Sequence, residues 1–325
     1  MPDPVRWGIV APGHIAEQFA SAMTVVKDSE LLALASRSKK RAREFSRKFS
    51  IPRIHETYED LAEDPDIDAV YVASPHPFHA EQTILCLRNN TAVLCEKPLA
   101  VNAGQARMII DSARKHNTFF MEAMWTRFLP IMKAVRSHGD EIGEIQRVQA
   151  DFSYSVDFSD EHRCMNPELA GGSLLDVGVY VLNFARMFTK DWPEESFSAV
   201  HMSRTGVDLQ AVMIQRYRSG ALAQLSCGIQ VPGPCTASIY GSRGTIEFPR
   251  GFHAAQSAVI RNDMGERVIK KPFLKNGFEY EIEEVNACIR KGQLESAGMP
   301  WSESLRIVEH MDALRAQWGL QYPFE

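Results

Sequence analysis

Short apolar runs alternate with amphipathic segments along roughly the first 120 residues. The runs are apolar at consecutive positions, which predicts strands buried on both faces: VRWGIV (5–10), LLALAS (31–36), AVYVAS (69–74), AVLC (92–95) and TFFMEA (118–123). Between them, apolar residues recur at helical spacing in IAEQFASAM, KKRAREFSRKF, AEQTILCLR and GQARMIIDSARK. This strand–helix alternation predicts a doubly wound parallel sheet, which binds ligands outside the carboxyl ends of its strands.

The pattern changes near residue 122. A helical stretch (128–137) leads into the alternating segment EIQRVQADFSYSV (144–156), and a glycine pair then opens the helical segment SLLDVGVYVLNFARMF (173–188). Strand-like runs joined by turn signals follow, and then two helical stretches, FEYEIEEVNACIRKG and SESLRIVEHMDALRAQWG. Strands in close succession predict an antiparallel or mixed sheet. We therefore predict an α/β domain over residues 1–123 and an α+β domain over residues 124–325.

Composition narrows the class of protein. The 325 residues are 45% apolar and 24% charged, as in ordinary globular proteins, and the net charge of -5 offers no basic surface for nucleic acid or anionic membranes. The first residues lack the pattern of a signal peptide, and no apolar run of about 18 residues indicates a membrane span. Without an export signal, we expect a cytoplasmic protein with free thiols. No C-x-x-C pair indicates a zinc or redox motif among Cys86, Cys95, Cys164, Cys227, Cys235 and Cys288.

The first strand runs into APGHIA (11–16), which resembles the dinucleotide-binding pattern G-x-G-x-x-G/A with Ala11 at the first glycine position. In that pattern the second glycine lets the backbone approach the pyrophosphate, which the following helix N-terminus holds. We expect cofactor contacts from Gly8, Gly13, His14 and Ile15. A plain strand–turn–helix without a ligand is the alternative.

The end of the second strand indicates which dinucleotide binds. An NAD site carries Asp or Glu about 20 residues after the loop to bind the ribose 2′-hydroxyl. This chain has Ser36 and Arg37 there, followed by Lys40 and Arg41. Hydroxyl and guanidinium groups hold a 2′-phosphate that a carboxylate would repel. We therefore predict contacts from Ser36, Arg37 and Arg41 to NADP, the alternative being a solvated basic helix start.

The run AVLC ends in Glu96, Lys97 and Pro98, at the strand edge where a nicotinamide ring is expected. Proline restricts Lys97 to extended conformations and permits a cis bond, so it fixes the direction of the amine. Glu96 is placed to orient that amine, and we expect cofactor contacts from both Glu96 and Lys97. A surface Lys–Glu pair at a strand end is the alternative from these residues alone.

The segments GIVAPGHIA, ASRS, ASPHPFHAE, EKPLA and AGGSLLDVGVY together resemble the Gfo/Idh/MocA oxidoreductases over the whole chain. MEAMWTRFLP and NPELAGGSLLDVGVYVLNF resemble the branch of dimeric dihydrodiol dehydrogenases and NADP-dependent D-xylose dehydrogenases. The resemblance implies a Rossmann domain and a C-terminal domain with a large open, mostly antiparallel sheet for substrate binding and dimerisation. It makes Lys97 the family lysine and Tyr180 the family acid/base.

The implied reaction is hydride transfer between NADP and a cyclic polyol or aldopyranose. Sugars similar to D-xylose or D-glucose are the leading expected substrates, and trans-dihydrodiols come next. A tyrosine accepts a proton readily only if its pKa falls below about 10, which the Lys97 ammonium would favour. Asp176 lies four residues before Tyr180, so both face one side of a helix, and Asp176 can bind a substrate hydroxyl or position Lys97. The alternatives are an NADPH-dependent reductase of a keto- or anhydro-sugar and a non-catalytic NADP(H)-binding regulator.

Further contacts follow from the resemblance. The loop with Ser74, His76 and His79 is placed at the nicotinamide ribose, although the two histidines are also explained as ordinary loop residues. No third ligand accompanies them, so we predict no metal. Substrate contacts are expected from Trp125, Arg127, Phe128, Arg163 and Asn166, with packing between domains as the alternative for the first three. GALAQLSCGI (220–229) supplies apolar alternation for a homodimer surface.

Overall fold

The computed structural model describes residues 3–155, 159, 162–189 and 191–325, which form two compact units. The first unit comprises Met1–Phe128 and Leu274–Val308, and the second comprises Leu129–Phe273 and Glu309–Glu325. The predicted division placed residues 274–308 in the second domain. The structure differs because Phe278 stacks on Trp125, with ring centroids 4.9 Å apart, and the helix after it packs on the first helix of the chain.

The strands and helices alternate regularly only in the N-terminal part. The elements there are β1 (Val5–Val10), α1 (His14–Met23), β2 (Ser29–Ala35), α2 (Lys39–Phe49), β3 (Arg53–His55), α3 (Tyr58–Ala62), β4 (Ala69–Val72), α4 (His79–Arg88), β5 (Ala92–Glu96), α5 (Ala103–His116) and β6 (Phe120–Ala123). The remaining elements are α6 (Pro130–Arg136), α7 (Gly139–Ile142), β7 (Ile145–Ser153), α8 (Val179–Phe188), β8 (Pro193–Met202), β9 (Asp208–Tyr217), β10 (Leu222–Gly228), β11 (Ala237–Gly241), β12 (Gly244–Phe248), β13 (Ser257–Asn262), β14 (Gly265–Lys270), α9 (Glu279–Arg290) and α10 (Trp301–Trp318). Val156, the last residue of the predicted alternating segment, lies outside the described residues.

The first unit contains a six-stranded sheet in the order β3-β2-β1-β4-β5-β6, with every neighbouring pair parallel. Strands β4, β5 and β6 are buried along their whole length, as their apolar letters predict. Glu96 and Glu122 are the exceptions, since both are charged residues inside the sheet. The predicted doubly wound α/β fold is confirmed, and its strands all end at one edge.

The second unit contains an eight-stranded sheet in the order β14-β13-β12-β11-β7-β10-β9-β8. Only β7 and β10 pair in parallel, so the sheet is mostly antiparallel, which confirms the predicted α+β class. One face packs on α8. The apolar alternation of segment 220–229 lies mainly on this inner face, because Ala223, Leu225 and Cys227 are buried.

The open face of the sheet differs from its inner face. It exposes Phe197 (63%), Val212 (49%) and Ile214 (50%), which come from β8 and β9. The prediction that segment 220–229 supplies an apolar surface is therefore corrected, since only Leu222 of its larger apolar residues is exposed. All six cysteines are buried free thiols. In the described ranges, no helix combines the length and apolarity needed to cross a membrane, and no three metal-ligating side chains converge.

Candidate active site

The turn after β1 is shaped for close approach of a ligand. Ala11 has a φ of 60° and so adopts the left-handed conformation that the first glycine of the pattern would take without strain. Gly13 is the N-cap residue of α1 and supplies no side-chain cap, so the first N–H groups of the helix face outwards beside exposed His14 and half-buried Ile15. A Cβ at Gly13 would meet only the Ala11 carbonyl oxygen, at 3.9 Å.

Gly8 has a different role from the predicted cofactor contact. It lies buried inside β1, and a Cβ there would come within 3.0 Å of Leu61 Cδ1 and 3.4 Å of Val70 Cγ2. A side chain would therefore push neighbouring apolar groups out of place. Gly8 is therefore a residue of the sheet that allows close packing of Leu61 and Val70.

The segment after β2 presents cations and no carboxylate. The Ser36 hydroxyl accepts a hydrogen bond from the Ser38 N–H (3.2 Å), and Ser38 in turn caps α2 by accepting from the Arg41 N–H (3.3 Å). Arg37 and Arg41 are exposed, and the Arg37 guanidinium lies 5.3 Å from the centre of the Phe78 ring. These groups can bind an anion at the carboxyl end of β2.

The loop after β4 corrects the prediction for His79. This side chain is fully buried, with Nδ1 2.8 Å from the Pro98 carbonyl oxygen and Nε2 2.8 Å from the Ser74 carbonyl oxygen. Burial and the Lys97 charge lower its pKa, while the two carbonyls oppose this shift. Both ring nitrogens face main-chain oxygens and neither is left for a cofactor. Ser74 Oγ is buried without a hydrogen-bond partner in the described structure, and His76 is buried beside it.

The lysine turn, residues 96–99, follows at the same sheet edge. The Lys97–Pro98 peptide is cis, as its sequence permits, and Lys97 is half-buried. Glu96 is buried and accepts hydrogen bonds from the Tyr71 hydroxyl and from the Lys97 N–H (3.1 Å). Both of its oxygens are thus used within the protein, which differs from the predicted cofactor contact. The Leu99 N–H donates to Glu122 Oε1 on β6 (2.9 Å).

Trp125, Arg127 and Phe128, the predicted substrate contacts that follow β6, mostly pack inside the first unit. Trp125 is buried against Phe278. Arg127 Nε donates to the Gly298 carbonyl oxygen (3.0 Å), and Phe128 is buried where a Cβ on Gly298 would strike its ring. This replaces the predicted substrate contacts of Arg127 and Phe128, because their polar and apolar surfaces are already satisfied within the unit.

In the second unit, the predicted helix 173–188 begins as a π-helix (Leu174–Gly178) and continues as α8. Gly172 has a φ of 116°, and a Cβ there would strike Asp208 Oδ1. Oδ2 of this buried carboxyl accepts from the Ser173 hydroxyl (2.7 Å) and the Leu174 N–H (2.6 Å). Gly172 therefore makes room for a carboxyl group that caps the helix. Single π turns inside helices are frequent at functional sites.

Asp176 is buried in this helix start and is already hydrogen-bonded by neighbouring side chains. The Tyr154 hydroxyl donates to its Oδ2 (2.6 Å), and Arg163 Nη2 donates to its Oδ1 (3.1 Å). The predicted Arg163 thus lies beside the predicted Asp176. Asn166 is used locally, since its Oδ1 accepts from the Glu168 N–H (2.9 Å).

Tyr180 is buried among aromatic rings at the same end of α8. Its ring centroid lies 5.3 Å from that of Phe152 and 5.7 Å from that of His253. His253 stacks on Phe152 with centroids 4.0 Å apart. Aromatic side chains of the second unit thus surround the predicted acid/base.

Two family models match the chain. One, described as an oxidoreductase family with an NAD-binding Rossmann fold, matches residues 5–124, and the GFO/IDH/MocA C-terminal domain matches residues 132–247. The chain belongs to the Gfo/Idh/MocA oxidoreductase family.

Relatives of this Gfo/Idh/MocA oxidoreductase match it almost end to end. A trans-1,2-dihydrobenzene-1,2-diol dehydrogenase of Xenopus tropicalis is 35% identical and the match covers 98% of this chain and 99% of the relative. The Mus musculus protein of the same name is also 35% identical, with 98% of each covered.

Solved structures agree with this family. A 3-ketoreductase from Actinomadura kijaniata in complex with NADP and TDP-benzene matches with a TM-score of 0.87 and 28% identity, over 97% of this chain and 98% of that one. An aldose-aldose oxidoreductase from Caulobacter crescentus complexed with glycerol matches with a TM-score of 0.87 and the same coverage. Its identity is 23%, so that likeness shows the fold alone.

Within each unit of this Gfo/Idh/MocA oxidoreductase, the candidate residues gather in one place. The loops after β1, β2, β4 and β5 share the carboxyl edge of the parallel sheet, and Tyr154, Arg163 and Asp176 form one hydrogen-bonded group. Sequence reasoning missed Tyr154, Glu122 and Asp208. The only visible signal was a charged residue inside an apolar run, as in FFMEAM and VDLQAV.

Proposed function

We propose that this protein is an NADP(H)-dependent dehydrogenase that transfers a hydride between the nicotinamide and a CH–OH group of a trans-dihydrodiol or an aldopyranose such as D-xylose or D-glucose. The observation that carries the proposal is the 35% identity, over 98% of the chain, to relatives named trans-1,2-dihydrobenzene-1,2-diol dehydrogenase. The apolar rings around Tyr180 support a cyclic substrate.

The residues present fit a dinucleotide. The open approach over Gly13 and the uncapped start of α1 suit a pyrophosphate, and the buried Ser74 hydroxyl lacks a partner within the described structure. Gly13, His14 and Ile15 would hold the pyrophosphate, while Ser36, Arg37 and Arg41 would hold the 2′-phosphate. The cations without a carboxylate at the end of β2 support NADP over NAD. When bound, the nicotinamide accepts the hydride during oxidation and returns it during reduction.

The protein's own residues handle the proton. Tyr180 Oη takes the proton of the substrate hydroxyl as the hydride leaves carbon, and gives it back in the reverse direction. The Lys97 ammonium, at the carboxyl edge of the parallel sheet, holds the substrate oxygen. Asp176 lies at the start of the helix that carries Tyr180. It accepts hydrogen bonds from Tyr154 and Arg163 and so orients these two donors.

The test is an initial-rate assay with NADP⁺ and NAD⁺ on trans-benzene dihydrodiol, D-xylose and D-glucose. We expect turnover with NADP⁺ on at least one of them, and we expect Lys97→Met and Tyr180→Phe to lose turnover while still binding NADPH. Turnover with a keto- or anhydro-sugar and NADPH alone would instead support a reductase. No turnover in either direction, despite tight NADPH binding, would contradict the proposal and support a regulator.

A homodimer through the open face of the eight-stranded sheet is the assembly we propose. Phe197, Val212 and Ile214 expose apolar side chains there at paired positions, since Phe197 lies opposite Ile214 in the ladder. Sedimentation at micromolar concentration should show a dimer that Phe197→Lys converts to a monomer. A wild-type monomer would contradict the assembly. The cytoplasmic location remains a prediction.

A further inference from the structure

Three buried side chains contact the backbone of the lysine turn. The Lys97 N–H donates to Glu96, the Leu99 N–H donates to Glu122, and the Pro98 carbonyl oxygen faces His79. The last two groups belong to one peptide unit, between Pro98 and Leu99. In a trans peptide the C=O and N–H point in opposite directions, so His79 and Glu122 hold this plane from opposite sides.

The two contacts leave the plane little freedom. The proline ring fixes φ of Pro98, so rotation about ψ is the remaining motion of the peptide that follows it. A bond at each end of the plane opposes that rotation. The direction in which the chain leaves Lys97 is therefore set by side chains on α4 and β6.

A buried glutamate at position 122 costs free energy, because its carboxylate is removed from water. It is buried in a strand paired with β5, directly beside Cys95. Burial raises its pKa to about 7, against the lowering influence of Ser304, the Leu99 N–H and Arg127, while Glu96 raises it further. An apolar residue would fill the site without this cost, but it would leave the Leu99 N–H buried and unbonded.

We propose that Glu122 is a positioning residue for Lys97, acting through the Leu99 amide opposite His79. This inference rests on the proposed function of Lys97. What the turn requires from position 122 is a hydrogen-bond acceptor, so a neutral side chain with a carbonyl oxygen in the same place meets the requirement. Loss of the acceptor frees the peptide plane, and Lys97 then spends less time in its working direction.

The experiment compares Glu122→Gln, which keeps Oε1, with Glu122→Met, which removes it at similar volume. Glu122→Met should lower kcat roughly 10- to 100-fold, the scale expected for a misplaced reacting group, while the Kd for NADPH changes less than about twofold. Glu122→Gln should stay within about threefold of wild type for kcat. Asp64→Leu is the control outside the turn, because Asp64 is also a buried acid that accepts a main-chain N–H, from Asp66 (3.0 Å). It removes the contacts of Asp64 with Arg53 and His55 as well, so it tests the loss of a buried acid more severely than Glu122→Met does.

A double-mutant cycle separates positioning from general damage. In a Lys97→Met background, adding Glu122→Met should not lower the residual rate further, because the two residues act as one unit. A similar loss in both backgrounds, or equal kcat in Glu122→Met and wild type, would overturn the proposal.

A readout without turnover keeps the inference distinct from the proposed function. Lys97 is treated with pyridoxal 5′-phosphate, reduced with borohydride and quantified by peptide mass spectrometry at several pH values. We expect the labelling rate at Lys97 to change severalfold in Glu122→Met and to be restored in Glu122→Gln, with Asp64→Leu unchanged. That result with an enzyme that shows no turnover would retain the positioning role and reject the dehydrogenase. Unchanged labelling in Glu122→Met would reject the positioning role.

Discussion

The lysine turn of the first unit can be compared with the helix start of the second unit, residues 171–176. In both regions a buried carboxyl group accepts a hydrogen bond from a main-chain N–H, but the surrounding backbones differ. Glu122 of β6 accepts the Leu99 N–H, and Asp208 of β9 accepts the Leu174 N–H together with the Ser173 hydroxyl. Burial raises the pKa of Glu122 to about 7 and that of Asp208 to about 6. Burying each carboxyl group costs free energy, and this cost is offset because each group satisfies a buried main-chain N–H.

The backbones around them differ. The lysine turn contains no glycine and is fixed by side chains from three directions. The helix start needs Gly171 and Gly172, since a Cβ at Gly171 would lie 2.5 Å from the Cys164 carbonyl oxygen and one at Gly172 would strike Asp208. Lost contacts should therefore dominate mutational effects in the first region, and added atoms should dominate them in the second.

The largest effect is expected for Gly172→Ala. The added Cβ is strained at a φ of 116° and collides with a buried carboxyl group, so we expect a loss of at least about 3 kcal/mol in the free energy of unfolding. Gly206→Ala is the control, because Gly206 also has a positive φ (91°) but its Cβ would meet nothing within 4 Å. Urea unfolding curves that shift equally for both variants would show that the space around Gly172 is unimportant.

The next effect depends on pH and concerns Glu122. Its pKa is raised in the folded protein to about 7, against an ordinary value of 4.5, so the folded state binds more protons than the unfolded state between these values. The stability this provides is complete below about pH 4.5 and is lost as the pH rises through 7. Relative to Glu122→Gln, the wild type should lose on the order of 3 kcal/mol across this window. The free energies of unfolding of the wild type and Glu122→Gln are measured by urea unfolding from pH 4 to 8. If their difference stays constant over this range, the pKa of Glu122 is not raised.

A smaller effect is expected for Asp208. Asp208→Ala leaves the Leu174 N–H and the Ser173 hydroxyl buried without an acceptor, which should cost about 2 kcal/mol and lower kcat by loosening the start of the helix that carries Tyr180. Asp208→Asn keeps one oxygen and should recover part of both losses. Thermal unfolding and initial rates measure them, and an Ala variant as stable as the Asn variant would remove the capping role.

The smallest effect is expected for Tyr154→Phe. It removes one hydrogen bond to Asp176 Oδ2 but leaves the Arg163 contact, so the free energy of unfolding should fall by about 1 kcal/mol. Tyr58→Phe in α3 serves as a control outside both regions. An unchanged Tyr154→Phe variant would mean that the Tyr154 hydroxyl does not help to hold Asp176.

The fold could be predicted from the sequence where burial produces a recognisable pattern of apolar residues. Strands buried on both faces give uninterrupted apolar letters, so β1, β4 and β5 were located almost to the residue. The three-residue β3 and five-residue α3 were missed because they are too short to show a period. The parallel pairing of β7 with β10 joins residues about 75 apart in sequence, as the Gln149–Gln224 bond shows, and no local pattern encodes it.

The candidate site was readable where a chemical requirement fixes position along a strand. The cationic end of β2 and the lysine after β5 are such positions. Glu122, Tyr154 and Asp208 were missed because their partners lie 22 to 35 residues away and follow no spacing rule. Gly8, His79, Arg127 and Phe128 were assigned to ligands although they are satisfied inside the first unit. Motifs identify which residues gather at an edge, but not which of them face inwards.

The division of the first unit between two chain segments has a consequence for biosynthesis. Residues up to Phe128 leave the ribosome long before Leu274–Val308, which complete that unit through the Trp125–Phe278 stack and the Trp7–Asn286 hydrogen bond. At about 5–20 residues per second, the interval is roughly 10–40 s. Until it passes, the apolar faces of Trp125 and Phe128 lack their partners, and the nascent chain presents surface that chaperones bind. Folding of the cofactor half is therefore a late event in synthesis, although its sequence comes first.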